Sequence, residues 1–408
     1  MYRRLLTPVL ALMVLMTAVP AAAQTPAASP IATGTYEMRA LDLAGQGFAI
    51  SPDGQWLAGV GPDQTPCFWD VETLTPQCAG EKLPILVHQF FPAIAWAPDS
   101  SAVAFSLDAP RMAYDSDIYV FERESGALTN LTDDGYAGSL LDGPDDLAID
   151  IVPTWSPDGT QIVFSRSRMG DMTKSTSVMR IERAGGEPIE IVTLDIEEPL
   201  VIWMPMHWLP DDTILYTLSS AKIDEQRNGL WRVGVDGANP EKLIPGDGTA
   251  DIPAPVAADV NLETGVMSVF SPLLLAQFGA SPEQPVFWLG DLDDGSVRPL
   301  PLYDAESGET LDPASVQPTD TDATPLLALP AGPAALSPDG ATALAVYRNM
   351  AGESSLMRLD PATGEVATVA PFSPETLVQP LAPQWADNGT VLILTGDGAM
   401  LLTPAPAG

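Results

Sequence analysis

A short pattern of apolar and polar residues recurs along the chain about every 50 residues. It consists of an apolar residue, any residue, and then Pro-Asp-Gly or a close variant. A weaker seventh copy, around Glu263, fills the large gap between the fourth and fifth clear copies. The six clear copies carry their acidic or amide residue at Asp53, Asp99, Asp158, Asp211, Asp339 and Asn388.

The chemistry of this pattern is that of a tight turn. Pro fixes φ, Asp bonds to nearby backbone, and Gly tolerates a positive φ. Runs with the alternation of a strand follow the turns, as in residues 161–165, and a second turn recurs later in each repeat, as in residues 293–295. Four antiparallel strands in each repeat of about 40 to 50 residues predict an all-β protein, a β-propeller.

The repeat is specific enough to suggest a family. Trp-Ser-Pro-Asp-Gly at residues 155–159, followed by an apolar strand, resembles the repeat of TolB-like propellers, which are relatives of WD-type repeats. The resemblance covers residues 34–404. It implies the architecture of a propeller and says little about activity, since this fold serves many functions.

The number of blades follows from ring closure. We favour seven four-stranded blades, or six if the Glu263 repeat is irregular. The last repeat lacks one strand, and residues 36–43 are the natural donor, because pairing the two chain ends removes exposed sheet edges. Insertions at residues 271–283 and 303–333 interrupt the repeats. The second is rich in Asp, Thr, Pro and Ala, and we expect it to be disordered.

The chain starts with the features of a secretory signal. Residues 1–23 contain an arginine pair, an apolar stretch over residues 5–19 and a small-residue cleavage site at 21–23. The alternative is an uncleaved anchor, but the stretch is shorter than the roughly 20 residues of a spanning helix. An Ala-, Pro- and Thr-rich linker over residues 24–33 follows. We therefore expect an extracytoplasmic protein, secreted or periplasmic.

The only two cysteines are Cys67 and Cys78. In an oxidising compartment an even number of cysteines at short spacing predicts a disulfide. The residues between them have the pattern of a strand, a turn and a second strand, so we expect a bridge across two strands.

The charge balance limits the classes of partner that the protein can bind. The chain has 54 acidic and 18 basic residues, for a net charge of -36. This excludes general nucleic-acid binding and docking on an anionic membrane. An acidic surface attracts basic partners and favours a soluble monomer. Adaptation to a salty habitat is another explanation for the acidity.

Motifs of catalysis are mostly missing. There is no Gly-x-Ser-x-Gly, no His-Glu-x-x-His and no phosphate-binding Gly loop. Sugar lyases related to TolB-like propellers use clustered histidines for metal, and His88 and His207 are too few for such a cluster. We predict no catalytic residue and no cofactor. The question of enzymatic activity stays open, with a non-enzymatic role favoured.

The tryptophans at the repeat position invite a carbohydrate-stacking interpretation. Because Ile or Leu takes the same position in other copies, we instead predict a core position between blades. The residues in this register are Trp96, Trp155, Trp208, Trp385, Ile50 and Leu336.

The segments that lead into the first strand of a blade supply the candidate binding face. They combine aromatic and Met side chains with carboxylates, which suits a peptide or a basic protein segment. The alternative is that Phe90, Trp203 and Met206 plug the channel as core. The candidate residues are Phe90, Phe91, Asp145, Asp146, Trp203, Met206 and His207.

Acidic residues in one of these segments raise the question of a cation. Asp142, Asp145, Asp146 and Asp150 offer the oxygen ligands that Ca²⁺ prefers. No EF-hand spacing is present, so a structural Ca²⁺ is only a hypothesis. The function we predict is a protein-binding module, and the alternative is an extracytoplasmic hydrolase or lyase acting on peptide or glycan at the channel.

Overall fold

The structure is a computed structural model. It describes residues 32–33, 36–83, 94–106, 115–138, 143–144, 147–168, 175–195, 200–201, 205–220, 226–246, 252–279, 284–313, 327–372, 383–395 and 398–404. Within these ranges the only α-helix is α1 (Pro272–Phe278), and the other regular structure is almost entirely β-strand. No helix in the described part of the chain is long and apolar enough to cross a membrane.

The strands follow one another as successive four-stranded units. Two strands precede the first unit: β1 (Ala32–Thr33) and β2 (Tyr36–Leu41). Blade 1 is formed by β3 (Gln46–Ile50), β4 (Trp56–Val60), β5 (Pro66–Asp70) and β6 (Pro76–Cys78). Blade 2 is formed by β7 (Ile94–Trp96), β8 (Ala102–Ser106), β9 (Ile118–Glu122) and β10 (Leu128–Asn130). Blade 3 is formed by β11 (Ala148–Trp155), β12 (Gln161–Arg168), β13 (Ser175–Glu182) and β14 (Ile189–Asp195).

The innermost strand of some later blades is interrupted. Blade 4 is formed by β15 (Leu200–Val201), β16 (His207–Trp208), β17 (Thr213–Ser220), β18 (Gly229–Gly234) and β19 (Glu241–Pro245). Blade 5 is formed by β20 (Val256–Asn261), β21 (Val266–Phe270), β22 (Phe287–Asp291) and β23 (Val297–Pro299). Blade 6 is formed by β26 (Leu327–Pro330), β27 (Ala335–Leu336), β28 (Ala343–Asn349), β29 (Ser354–Leu359) and β30 (Val366–Pro371), and the hairpin β24 (Leu302–Asp304) and β25 (Glu309–Leu311) precedes it. Blade 7 contains β31 (Gln384–Trp385), β32 (Val391–Thr395) and β33 (Gly398–Pro404).

These described strands form seven antiparallel sheets. The innermost strands β3, β7, β11 and β16 contact one another in that order, as do β20, β27 and β31, and β31 contacts β3 again. His207 on β16 joins the two runs through its Nε2, which lies 3.0 Å from Ala257 O on β20. The ring is therefore closed. The prediction of an all-β propeller is confirmed, and the seven sheets agree with the larger of the two blade counts.

The ring closes where the sequence predicts. The N-terminal strand β2 pairs with β33 from Tyr36 opposite Pro404 to Leu41 opposite Ala399, and it becomes the fourth strand of blade 7. Met38 and Leu41 on β2 are buried. Covering the edge of β33 in this way leaves no unpaired backbone there.

Most of the core lies between the blades, in clusters of apolar side chains from neighbouring sheets. A smaller cluster lies within blade 6 and its hairpin. The repeat tryptophans belong to these interfaces, as predicted, and three of them donate their indole N–H to a carbonyl of the preceding blade. The bonds run from Trp96 to Ala49 (3.1 Å), from Trp155 to Ala95 (2.9 Å) and from Trp385 to Ala335 (3.1 Å).

The predicted disulfide is also present. Cys67 on β5 lies directly opposite Cys78 on β6, and the two sulfur atoms are bonded. Cys67 is buried, with 1% of its surface exposed. The bridge thus fastens the outermost strand of blade 1 to its neighbour.

The repeat turns form one end of the ring, which we call the turn end. In three copies a Ser hydroxyl donates to the Asp carboxylate, as from Ser156 to Asp158 (2.7 Å). The seventh copy uses Asn261, whose side-chain oxygen accepts from Glu263 and Thr264 backbone N–H groups. A positive φ closes every copy, even where Gly is replaced. The residues are Gly54, Ser100, Gly159, Asp212, Gly265, Gly340 and Gly389.

Both predicted insertions contain regular structure. Helix α1 lies in the first, and Ser271 caps it by accepting from the Leu274 N–H. The second was expected to be disordered, but its described parts contain β24, β25 and β26. The reason is apolar anchoring, because Leu302 and Leu327 are each only 2% exposed.

Candidate functional site

The end of the ring opposite the turn end is where the innermost strand of each blade begins and the second strand ends. We call it the entry end. The chain passes from one blade to the next there. Most of the predicted binding face belongs to these passages and lies outside the described residues, namely Phe90, Phe91, Asp145, Asp146 and Trp203.

Two predicted face residues are described, and neither lies on an open surface. Met206 is only 2% exposed and packs in the core between blades 3 and 4 with Val163 and Ile214. His207 is half-buried, and its Nε2 lies 3.0 Å from the carbonyl oxygen of Ala257 on the next blade. Burial lowers the pKa of His207. Met206 is therefore a core residue, although it lies between two blades and does not plug the channel. The binding face itself stays a prediction.

His207 is one member of a set of polar side chains whose role in joining the blades sequence reasoning missed. Each stands one residue before the repeat tryptophan or its equivalent and bonds to the next blade. The signal was present in the register, because Trp155, Trp208 and Trp385 all follow a polar residue. The bonds join Thr154 to Met206 O (2.9 Å), His207 to Ala257 O (3.0 Å), Asp259 to Leu336 N (2.7 Å) and Gln384 to Ile50 N (3.1 Å).

Asp259 faces His207 across two innermost strands. Its carboxylate accepts the backbone N–H groups of Leu336 and Val260, at 2.7 and 2.8 Å. Burial raises the pKa of Asp259, whereas those hydrogen bonds and His207 oppose the rise. Apart from the local bond from Val260 N–H, these polar contacts join blades 4, 5 and 6.

A second group of ionisable residues lies at the entry end between blades 2 and 3. We call Asp115, Asp117 and Asp150 the aspartate cluster. Their exposed fractions are 3%, 3% and 0%. Asp115 and Asp117 stand directly before β9, and Asp150 lies near the start of β11, where its backbone N–H donates to Ser116 O at 2.7 Å.

Among the described residues, one cation contacts these carboxylates. Arg166 on β12 binds Asp150 through both nitrogens, with Nε to Oδ1 at 2.7 Å and Nη2 to Oδ2 at 2.6 Å. Asp117 instead accepts from the Asn130 amide at 2.7 Å. The Oδ1 atom of Asp115 is buried and has no hydrogen-bond partner. Unpaired buried carboxylates are costly when ionised, so this cluster favours protonated or cation-bound states.

Burial is the main cause of the raised pKa values in the cluster. Burial, with a further contribution from Asp117, raises the pKa of Asp115 to about 7. Burial also raises the pKa of Asp117 to about 6, against the hydrogen bond from Asn130. The pKa of Asp150 is raised by burial, and Arg166 opposes the rise.

Sequence reasoning found this cluster only in part. Asp150 was named as a candidate calcium ligand; in the structure it pairs with Arg166, and the structural Ca²⁺ stays a hypothesis. Asp115 and Asp117 were missed, although two acids at alternate positions before an apolar strand place both side chains on one face. The other calcium candidates, Asp142, Asp145 and Asp146, lie outside the described residues. Among the residues that the structure describes, no three or more metal-binding side chains are arranged to hold an ion.

Comparison with known proteins gives the class of this chain. No protein-family model matches it. No curated protein matches it either. Solved structures do resemble it. One is an oligogalacturonate lyase in complex with manganese, which shares 13% identity with this chain at a TM-score of 0.56. The match covers 93% of this chain and 96% of that one.

Two further solved structures resemble the chain. The RRP9 WD40 repeats share 12% identity over 93% of this chain and 100% of that one, with a TM-score of 0.50. A prolyl endopeptidase shares 14% identity over 89% of this chain and 46% of that one, with a TM-score of 0.46. Likeness at such low identity shows the fold alone, so the protein is a β-propeller. Membership of the TolB-like family stays a prediction.

Proposed function

We propose that this protein is an extracytoplasmic, TolB-like propeller that binds a basic segment of another protein at the entry end. The observation that carries the proposal is the common direction of the innermost strands. Strands β7, β11 and β16 all begin at the entry end. In the sequence, the residues just before them supply the aromatic and acidic side chains of the predicted binding face.

Charge supports the same partner. The chain carries a net charge of -36. An excess of negative charge at the surface raises the local concentration of cations and speeds their association. The disulfide is consistent with an oxidising, extracytoplasmic compartment.

The test compares the two ends of the ring. Tagged protein starting at residue 24 is used to capture partners from envelope and culture fractions, and the dominant partner is then purified and its affinity measured. We expect Phe90→Ala with Trp203→Ala to weaken binding by about tenfold or more. The matched control, Leu262→Ala with Val297→Ala, removes two exposed apolar side chains at the turn end and leaves the affinity unchanged.

Two results would contradict the proposal. One is equal weakening by both pairs of substitutions in proteins that melt normally. The other is an affinity that does not fall with added salt, because attraction between exposed charges is screened by ions. Light scattering of the free protein checks the expected monomer.

The second candidate function is a lyase or hydrolase acting on glycan or peptide at the channel. The observation that favours it is the likeness to an oligogalacturonate lyase over 93% of this chain. The assay incubates the protein with oligogalacturonate and manganese, and separately with a peptide library, and follows product formation by mass spectrometry. Turnover would establish an enzyme. Partner binding without turnover would favour the scaffold.

A further inference from the structure

Blade 6 contains a cavity that the predicted insertion helps to build. It has a volume of about 300 Å³ and lies at the entry end between the sheet and the hairpin of β24 and β25. The hairpin extends this sheet from β26 and also contacts the outermost strand β30. Tyr303 on the hairpin pairs with Ala328, and Thr310 Oγ1 accepts the backbone N–H of Val366 on the outermost strand at 3.0 Å.

The floor of the cavity is one face of the sheet. Side chains alternate between the two faces of a strand, so Tyr347 and Met357 point to the hairpin while Arg348 points away. Tyr347 is fully buried, and its hydroxyl donates to Pro301 O at 2.9 Å, where the chain enters the hairpin. Met357 and Phe372 are 1% and 6% exposed. The walls are therefore mostly apolar and firmly packed.

The polar groups of the cavity are neutral or negative. Glu353 lines it, and its Oε2 accepts from the Asn349 amide at 2.9 Å. A carboxylate has several acceptor sites, so this bond leaves others for a ligand. The lining residues include no Lys, Arg or His. The nearest guanidinium on this strand, that of Arg348, donates to Ser354 Oγ at 3.3 Å.

We propose that this cavity binds an organic ammonium ion. The apolar body of the ligand packs between Tyr303, Met357 and Phe372, and its ammonium group donates to the Glu353 carboxylate. The rings of Tyr303 and Phe372 also favour a cation, because the face of an aromatic ring attracts positive charge. The cavity volume of about 300 Å³ is at the lower end for small-molecule sites. The carboxylate of Glu353 repels an organic anion from the cavity. This site is separate from the predicted binding face and does not depend on a protein partner.

Calorimetry with three probes of similar shape tests the proposal. Phenethylammonium carries the required charge, phenethyl alcohol is neutral, and phenylacetate is negative. We expect the ammonium to bind about tenfold more tightly than the alcohol, because the alcohol O–H can still donate to Glu353 but brings no positive charge to the carboxylate. Phenylacetate should not bind. N-acetyl-lysine methylamide then distinguishes a lysine side chain from a free amine as the natural ligand, and tighter binding of either one supports an ammonium site.

Substitutions locate the binding. Glu353→Gln should weaken phenethylammonium by about tenfold, and Thr368→Phe, at the cavity, should block it. Each substitution has a matched control. The control for Glu353→Gln lies in the turn before β30, and the control for Thr368→Phe lies on β30 itself. Glu365→Gln removes an exposed carboxylate outside the cavity, and Ala367→Phe adds a ring to the opposite face of the same strand. Both controls should bind like the natural protein.

Three results would overturn the proposal. They are no binding of either amine to the natural protein, equal binding of the alcohol, and unchanged binding in Glu353→Gln. Melting curves show that each variant is folded. Loss of binding in Ala367→Phe as well as Thr368→Phe would also count against the site, since only one of these faces the cavity.

Discussion

The two ends of the ring hold aspartate in opposite environments. At the turn end, Asp158 and Asp339 are exposed and accept hydrogen bonds from a Ser hydroxyl and from backbone N–H groups, which lower their pKa values. At the entry end, Asp115 and Asp117 are buried. Burial, followed by neighbouring charges for Asp115, raises their pKa values to about 7 and about 6. The same side chain is thus kept ionised at one end and driven toward protonation at the other.

The difference shows what each end is built from. A turn aspartate has all its partners within a few residues, as in the Ser337 hydroxyl bond to Asp339 at 2.6 Å. The aspartate cluster exists only because blades 2 and 3 come together, with Asp150 and Arg166 on one blade and Asp117 on the other. Local chemistry fixes the turn end, whereas packing between distant segments fixes the entry end.

The largest expected effect comes from removing Arg166, which pairs with Asp150 in the cluster. Arg166→Met leaves Asp150 buried without its partner, which should lower the free energy of unfolding by about 3 to 5 kcal/mol at neutral pH. Denaturant titration measures it. The control is Lys82→Met, since the Lys82 pair with Asp63 is exposed and 3.9 Å apart, and exposed pairs contribute about 1 kcal/mol or less. Equal effects would show that burial does not distinguish the two pairs.

The next effect is a dependence on pH. A carboxyl whose pKa is raised in the folded state stabilises the fold at low pH, and this contribution is lost as pH rises from the ordinary value of 3.8 through about 6 and about 7. Asp115→Asn with Asp117→Asn should remove the loss. We expect the double variant to be more stable than the natural protein by about 2 to 3 kcal/mol at about pH 8 and to gain much less at about pH 5.

The control for this experiment is Asp42→Asn, which changes an exposed carboxyl. Its stability curve should run parallel to that of the natural protein. A double variant that also runs parallel would mean that Asp115 and Asp117 do not titrate differently in the folded state, and the contrast between the two ends would then be wrong for this cluster.

The success of the sequence-based predictions follows the same division between local chemistry and the packing of distant segments. The turns, the tryptophan register, the closing strand β2 and the disulfide all depend on residues whose roles are local or repeated, and each was predicted. The cation pair of Asp150 was not, because Arg166 belongs to an ordinary strand pattern. Met206 was placed on a binding face, but its side chain lies in the core between two blades, and composition alone cannot distinguish those environments.

A smaller effect should come from the turn end, where neighbouring blades touch through Gly340. Its φ is +65°, and an added Cβ would lie 2.4 Å from Thr264 Cγ2 of blade 5. Gly340→Ala should therefore cost about 2 kcal/mol, from backbone strain together with the steric clash. Gly126→Ala is the matched control, because Gly126 has a φ of +68° but nothing near its added Cβ. If both substitutions cost the same, the contact between blades 5 and 6 contributes nothing measurable.

The smallest effect should come from a single turn carboxylate. Asp339→Ala removes the acceptor for the Ser337 hydroxyl and the Ala341 N–H, and we expect a loss of about 1 kcal/mol or less at neutral pH, since the site is exposed. The pKa of Asp339 is lowered in the folded state, so the stability that this carboxylate contributes is present above the ordinary pKa of 3.8 and disappears as pH falls through the folded value.

The stabilities of the natural protein and this variant should therefore converge in acid, whereas the stability of the double variant Asp115→Asn with Asp117→Asn diverges from that of the natural protein in alkali. Thermal melts across the pH range measure both. Convergence of the Asp339 variant at high pH instead would mean that this carboxylate is not stabilised as an anion, and the opposition between the two ends would be lost.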